Sequence, residues 1–71
     1  MSPASRDWIQ RIFKAQAALS GGIVRRSVRS VSRYASEDAL VAEVRRRQFH
    51  MVVTGGQYVI MCNTGGMDVV C

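Results

Sequence analysis

Phe49-His50-Met51-Val52-Val53-Thr54-Gly55-Gly56-Gln57-Tyr58-Val59-Ile60-Met61-Cys62 is the segment that decides the fold. Two runs rich in β-branched and apolar residues flank a Gly-Gly pair. Gly-Gly fits the positive-φ positions of a two-residue hairpin turn. Closing the turn there sets the register: Val53 faces Tyr58, Met51 faces Ile60 and Phe49 faces Cys62. Because side chains alternate across a strand, Phe49, Met51, Val53, Tyr58, Ile60 and Cys62 share one face, suited to a core. His50, Val52, Thr54, Gln57, Val59 and Met61 share the other. That second face is more apolar than a fully solvated one, so Val52, Val59 and Met61 call for a cover. Either the N-terminal helix folds over them or the chain self-associates there.

Downstream, a second Thr-Gly-Gly at 64–66 precedes Met67-Asp68-Val69-Val70-Cys71, which reads as a further strand, in this sheet or paired with a neighbour. It is not a phosphate loop, since no Gly-Lys-Ser/Thr follows. Upstream, Ser36 caps a helix to Arg47. Glu37 and Asp38 in its first turn and Arg45, Arg46 and Arg47 in its last complement the helix dipole at both ends. Leu40, Val41 and Val44 form its apolar face. Ile23-Val24, β-branched and following two glycines, predicts a short strand at 23–27, and the spacing of Val28, Val31 and Ala35 predicts a short helix at 28–34. At the N-terminus, Trp8, Ile12, Ala15 and Leu19 recur at helical spacing, widened by Ile9 and Phe13, so a single amphipathic helix over 5–19 is expected. Ser5 can cap it, or Ser2 with Pro3 at the first helical position, and Gly21-Gly22 ends it. The fold class is therefore α+β: an N-terminal amphipathic helix, a short strand, two helices and a C-terminal hairpin.

A chain of 71 residues allows one small domain, 1–71. It excludes a TIM barrel, which needs about 200 residues or more, and a doubly wound nucleotide fold. With 48% apolar residues, composition does not imply disorder. A core of this size rarely supplies more than ~3–5 kcal/mol, so oligomerisation or a partner is expected. The longest apolar run, Tyr58 to Cys62, is far short of the ~18 residues that span a bilayer. The basic N-terminal helix is too thinly charged to serve as a membrane-surface anchor. Residues 1–35 resemble a mitochondrial transit segment in composition, but their removal would leave too little chain to fold. Cys62 and Cys71 permit one disulfide at most; with no secretory signal, reduced thiols in a cytoplasmic protein are expected.

The net charge is +5, and nine of the ten basic residues are arginine. Residues 21–35 carry Arg25, Arg26, Arg29 and Arg33 with no acid. Clustered guanidinium groups suit bidentate contact with phosphate and read as a footprint for a polyanion. Three consecutive helical residues span about 200°, so at most two of Arg45, Arg46 and Arg47 can join such a patch. The candidate nucleic-acid-binding residues are Arg25, Arg26, Arg29, Arg33, Arg45 and Arg46, with DNA or RNA as partner. No catalytic site is expected and no cofactor. Metal binding would need about four ligands, yet only Cys62, Cys71 and His50 qualify. His50 and Cys62 fall on opposite hairpin faces, which disfavours a Cys–His pair.

The element order resembles a winged helix, a variant of the helix-turn-helix class. Gly22-Ile23-Val24 would be the first strand, Val28 to Ala35 the first motif helix, Ser36 to Arg47 the recognition helix and Phe49 to Cys62 the wing. The resemblance implies that the 37–47 helix enters a major groove while arginines hold phosphates. The chain departs from that pattern in its acidic Glu37, Asp38 and Glu43, its short first motif helix and a wing tip without basic residues. A plain antiparallel sheet with helices on one face fits the same order. Asp7-Trp8 through Phe13, Gly21 to Arg26, Glu43 to Arg47 with Phe49-His50, and Gly55 to Val59 are also similar to short Arg-rich bacterial proteins. Some of these bear the name phosphoribosylanthranilate isomerase, an activity whose barrel needs about three times the length of this chain. The alternative to nucleic-acid binding is an interaction module that uses the apolar outer face of the hairpin, with a protein partner or a second copy.

Overall fold

The computed structural model describes residues 3–66 and Val70, the side chain of Ala17 excepted. Four helices and three strands follow in the order α1 (Pro3–Lys14), α2 (Gln16–Leu19), β1 (Ile23–Ser27), α3 (Val28–Tyr34), α4 (Glu37–Arg46), β2 (His50–Thr54) and β3 (Gln57–Met61). The chain is α+β, with one antiparallel sheet in the order β1-β3-β2. The expected strand at 67–71 falls largely on residues outside those described; Val70 is exposed and lies in no strand.

The hairpin closes as its glycines require. Gly55 and Gly56 have φ of 56° and 72°, values that L side chains adopt only with strain. Val53 faces Tyr58 and Met51 faces Ile60. β1 pairs the other edge of β3, setting Val24 against Ile60 and Arg26 against Tyr58. The core-face rows are thus Val24–Ile60–Met51 and Arg26–Tyr58–Val53. The outer rows are Ile23–Met61–His50, Arg25–Val59–Val52 and Ser27–Gln57–Thr54.

The β1–α3 junction needs no linker. Ser27 ends the strand and caps the helix, its Oγ accepting from the Ser30 N–H at 3.0 Å. Val28 N–H then donates to the Gly56 carbonyl at 2.9 Å, tying α3 to the hairpin tip. Ser36 caps α4 in the same way through the Ala39 N–H. The other end of α4 is a Schellman motif: Gln48 N–H returns to Arg45 O and Phe49 N–H to Val44 O, each at 3.0 Å. Gln48 takes the left-handed position, with φ of 60°.

The N-terminal helix differs from the expected 5–19 span. It starts at Pro3, where the ring's fixed φ and missing N–H are compatible with a first turn, and it stops at Lys14. Ala15 turns extended, with ψ of 150°, and a single turn resumes at Gln16. The break buries Ala18 and turns Leu19 out to 73% exposure, reversing their places on a continuous helical stripe. No Gly or Pro causes it. The chain must reach β1 beside the end of β3, where Cys62 N–H bonds Gly22 O at 3.0 Å, and a straight helix would carry it away.

Ile9, Ile12 and Phe13 of α1, Val31 of α3, and Leu40 and Val44 of α4 meet Val24, Tyr58, Ile60 and Cys62 in one core. Burying each large aliphatic side chain contributes roughly 1.5–3 kcal/mol. Because α1 joins this core, it does not cover the outer face, where Ile23 and Val52 remain 54% and 42% exposed. Val53 points to the core face yet is 57% exposed, at the turn end of the edge strand β2.

Candidate nucleic-acid interface

The six candidate arginines occupy three places. Arg29 and Arg33, one helical turn apart on α3, are both exposed. Arg26 lies half-buried on the core-side row beside Tyr58, and its Nη1 donates to the Arg25 carbonyl at 2.6 Å. Arg25 alternates to the outer face, against Val59. Arg45 and Arg46 end α4. Tyr58, opposite Arg26, bonds Glu37 in the first turn of that helix. A helix rises about 1.5 Å per residue, so Arg45 and Arg46 stand about 12 Å or more along α4 from the end nearest Arg26.

Two of the four acids among the described residues, Glu37 and Glu43, are engaged within the fold. Glu43 is 12% exposed at its side chain and accepts from Arg46 Nη2 at 2.5 Å and from Arg47 Nε at 2.7 Å. Gln10 of α1 completes the cluster: its Nε2 donates to Glu43 Oε1 at 3.1 Å and its Oε1 accepts from Arg47 Nη2 at 3.0 Å. The Arg46 hydrogen bond holds the Glu43 carboxyl below the usual range; burial opposes this, and the bond from Arg47 assists. Arg47 also lies 4.6 Å over the Phe13 ring. Glu37 accepts from the Tyr58 hydroxyl at 3.0 Å. Burial pushes the Tyr58 phenol up, and the bond to Glu37 adds to it. Among the described residues no ion pair links Arg25, Arg26, Arg29, Arg33 or Arg45 to an acid. Asp68 lies outside those residues.

One aromatic was not singled out in the sequence. Tyr34, 49% exposed, stacks on Trp8 with centroids 5.7 Å apart, and Arg33 lies 5.5 Å from its centroid. The only sequence signal was its place beside Arg33. Trp8, expected in the core, packs against it while lending its face to this stack.

Cys62 is a buried free thiol whose pKa is raised by burial, a change the nearby Arg47 charge opposes. His50 Nε2–H donates to Gly65 O at 2.5 Å on the outer side of the sheet. Among the described residues, no three His, Cys, Asp or Glu side chains are grouped to hold a metal ion. No helix among them is long and apolar enough to cross a membrane. Comparison with family models, curated proteins and solved structures finds no match for the chain.

Proposed function

We propose that this chain is a small, non-catalytic nucleic-acid-binding protein of winged-helix-like build, acting in the cytoplasm. The observation that carries the reading is the division of the charges: Glu37 and Glu43 are used by Tyr58, Arg46 and Arg47, while Arg29 and Arg33 extend from α3 with no acid engaging them among the described residues. Carboxylates at the start of a recognition helix repel phosphate, and the Tyr58 hydroxyl and the helix dipole both moderate that charge on Glu37. The strand order β1-β3-β2 and the helix pair α3–α4 ahead of the hairpin support the winged-helix resemblance. Arg29 and Arg33 hold phosphates, Tyr34 and Trp8 offer a stacking surface, and Arg45 extends the contact at the far end of α4. Arg25, on the outer face, and Arg46, bound to Glu43, contribute less.

Titration of labelled duplex DNA and single-stranded RNA over a range of salt tests this. Three phosphate contacts, from Arg29, Arg33 and Arg45, give a slope of about −2.7 in log affinity against log salt on duplex DNA. Replacing Arg29 and Arg33 together by Glu flattens the slope and weakens binding on all sequences alike. Absence of binding to either polymer at ~50 mM salt refutes the reading. The exposure of Ile23 and Val52 on the outer face favours the second reading, an interaction module, whose association would be insensitive to salt.

A further inference from the structure

We propose that the edge of β2 left open among the described residues, together with the groove between β2 and α4, binds an extended acidic–apolar segment of a partner protein by strand addition. Among the described residues β2 is an edge of the sheet. In a two-residue hairpin the alternation of hydrogen-bonded pairs turns His50, Val52 and Thr54 toward β3 and leaves the N–H and C=O of Met51 and Val53 pointing outward. Exposed edges are normally blunted by charge or proline, yet His50–Thr54 contains neither Lys, Arg, Asp, Glu nor Pro.

Alongside this edge runs a groove of about 310 Å³ lined by Val41, Val44, Phe49 and Met51, with Arg45 and His50. A strand laid on β2 sends alternate side chains toward the core-face side, where that apolar floor receives them. Arg45 supplies the polar determinant. Its neighbours Arg46 and Arg47 are bound to Glu43, whereas Arg45 has no ion pair among the described residues. A carboxylate on the incoming segment completes it. A second copy of this chain, itself carrying a net charge of +5, would bring no acid on its own β2 strand to meet Arg45, so charge complementarity favours an acidic partner. This inference shares only Arg45 with the nucleic-acid reading, which rests mainly on α3.

Fluorescence anisotropy of the full chain with a labelled Glu-Val-Thr-Val-Thr-Val-Glu peptide, and with its Lys-flanked counterpart, tests the proposal. The Glu-flanked peptide is expected to bind at least tenfold tighter. Val53→Pro removes one outward N–H while sparing the ladder to β3, and should weaken binding tenfold or more in a protein whose circular dichroism is unchanged. Arg45→Glu, a surface change that does not depend on the strand, should reverse the peptide preference. Arg11→Glu makes the same charge change on α1 and should leave affinity within threefold. Equal binding of the two peptides, or an Arg11→Glu effect as large as that of Arg45→Glu, overturns the proposal. So does a concentration-dependent dimer in sedimentation that Val53→Pro abolishes, because the edge would then belong to a second copy.

Discussion

Tyr58 shows how one side chain joins core and surface. Its ring is 2% exposed in the row between Arg26 and Val53, and its hydroxyl reaches Glu37. Its raised pKa means that the stabilisation is complete below the unfolded tyrosine value of about 10 and is lost as pH rises through the higher folded value. Tyr58→Phe should cost about 1 kcal/mol at neutral pH and reduce the alkaline loss of stability; urea titrations at pH 7 and pH 11 measure both. Gln48 presents the opposite case, a residue working against its own backbone. At φ of 60° it bears the αL strain that glycine avoids. Gln48→Gly should therefore stabilise the chain by about 0.5–1 kcal/mol, less the entropy glycine adds to the unfolded state, read as a higher urea midpoint with an unchanged slope. An unchanged or lower midpoint would show that the Gln48 side chain has contacts that outweigh the strain.

Between elements, the Gln10–Glu43–Arg47 cluster joins α1 to α4 where apolar packing alone would leave their rotation loosely defined. Glu43→Ala should cost about 1–2 kcal/mol, since it strands Arg47 and Gln10 half-buried. Glu43 has a depressed folded pKa, so its contribution is present above the unfolded value of about 4.3 and is lost as pH falls through the folded one. Thermal melts at pH 7 and pH 3 should differ less in Glu43→Ala than in the parent chain. Some boundaries of these elements were legible from local chemistry. The Gly-Gly turn and its flanking alternation specify β2 and β3 within one segment. Ser27 and Ser36 mark two helix starts, and the charges of α4 match its dipole. The break at Ala15 was not legible, because no helix-breaking residue marks it and it is seen only with the return of the chain to Gly22 beside Cys62.

For the molecule as a whole, the α+β class, the element order and the face of each strand residue follow from periodicity, but the contacts between elements do not. Arg25 and Arg26 are adjacent in sequence and lie on opposite sheet faces, as a period of two demands. Arg46 and Arg47 meet Glu43 at i,i+3 and i,i+4 within α4 itself, whereas Gln10 joins them only once α1 is set against α4. Val53 has the right parity for burial, but burial also needs a helix packed over its end of the edge strand β2, and that placement is a property of the assembled fold. The groove beside Arg45 likewise exists only once β2 and α4 are set side by side, so no stretch of sequence announces it.

The central position of β3 has a temporal side. Its residues leave the ribosome after those of both strands it joins, and Gln57 follows its partner Ser27 by thirty residues, roughly 2–6 s of synthesis at ordinary rates. Throughout that interval Ile23–Ser27 has helices downstream of it but no ladder to enter. A nascent chain interrupted before Gln57 lacks both ladders at once rather than one of them, so the sheet can form only after β3 has emerged.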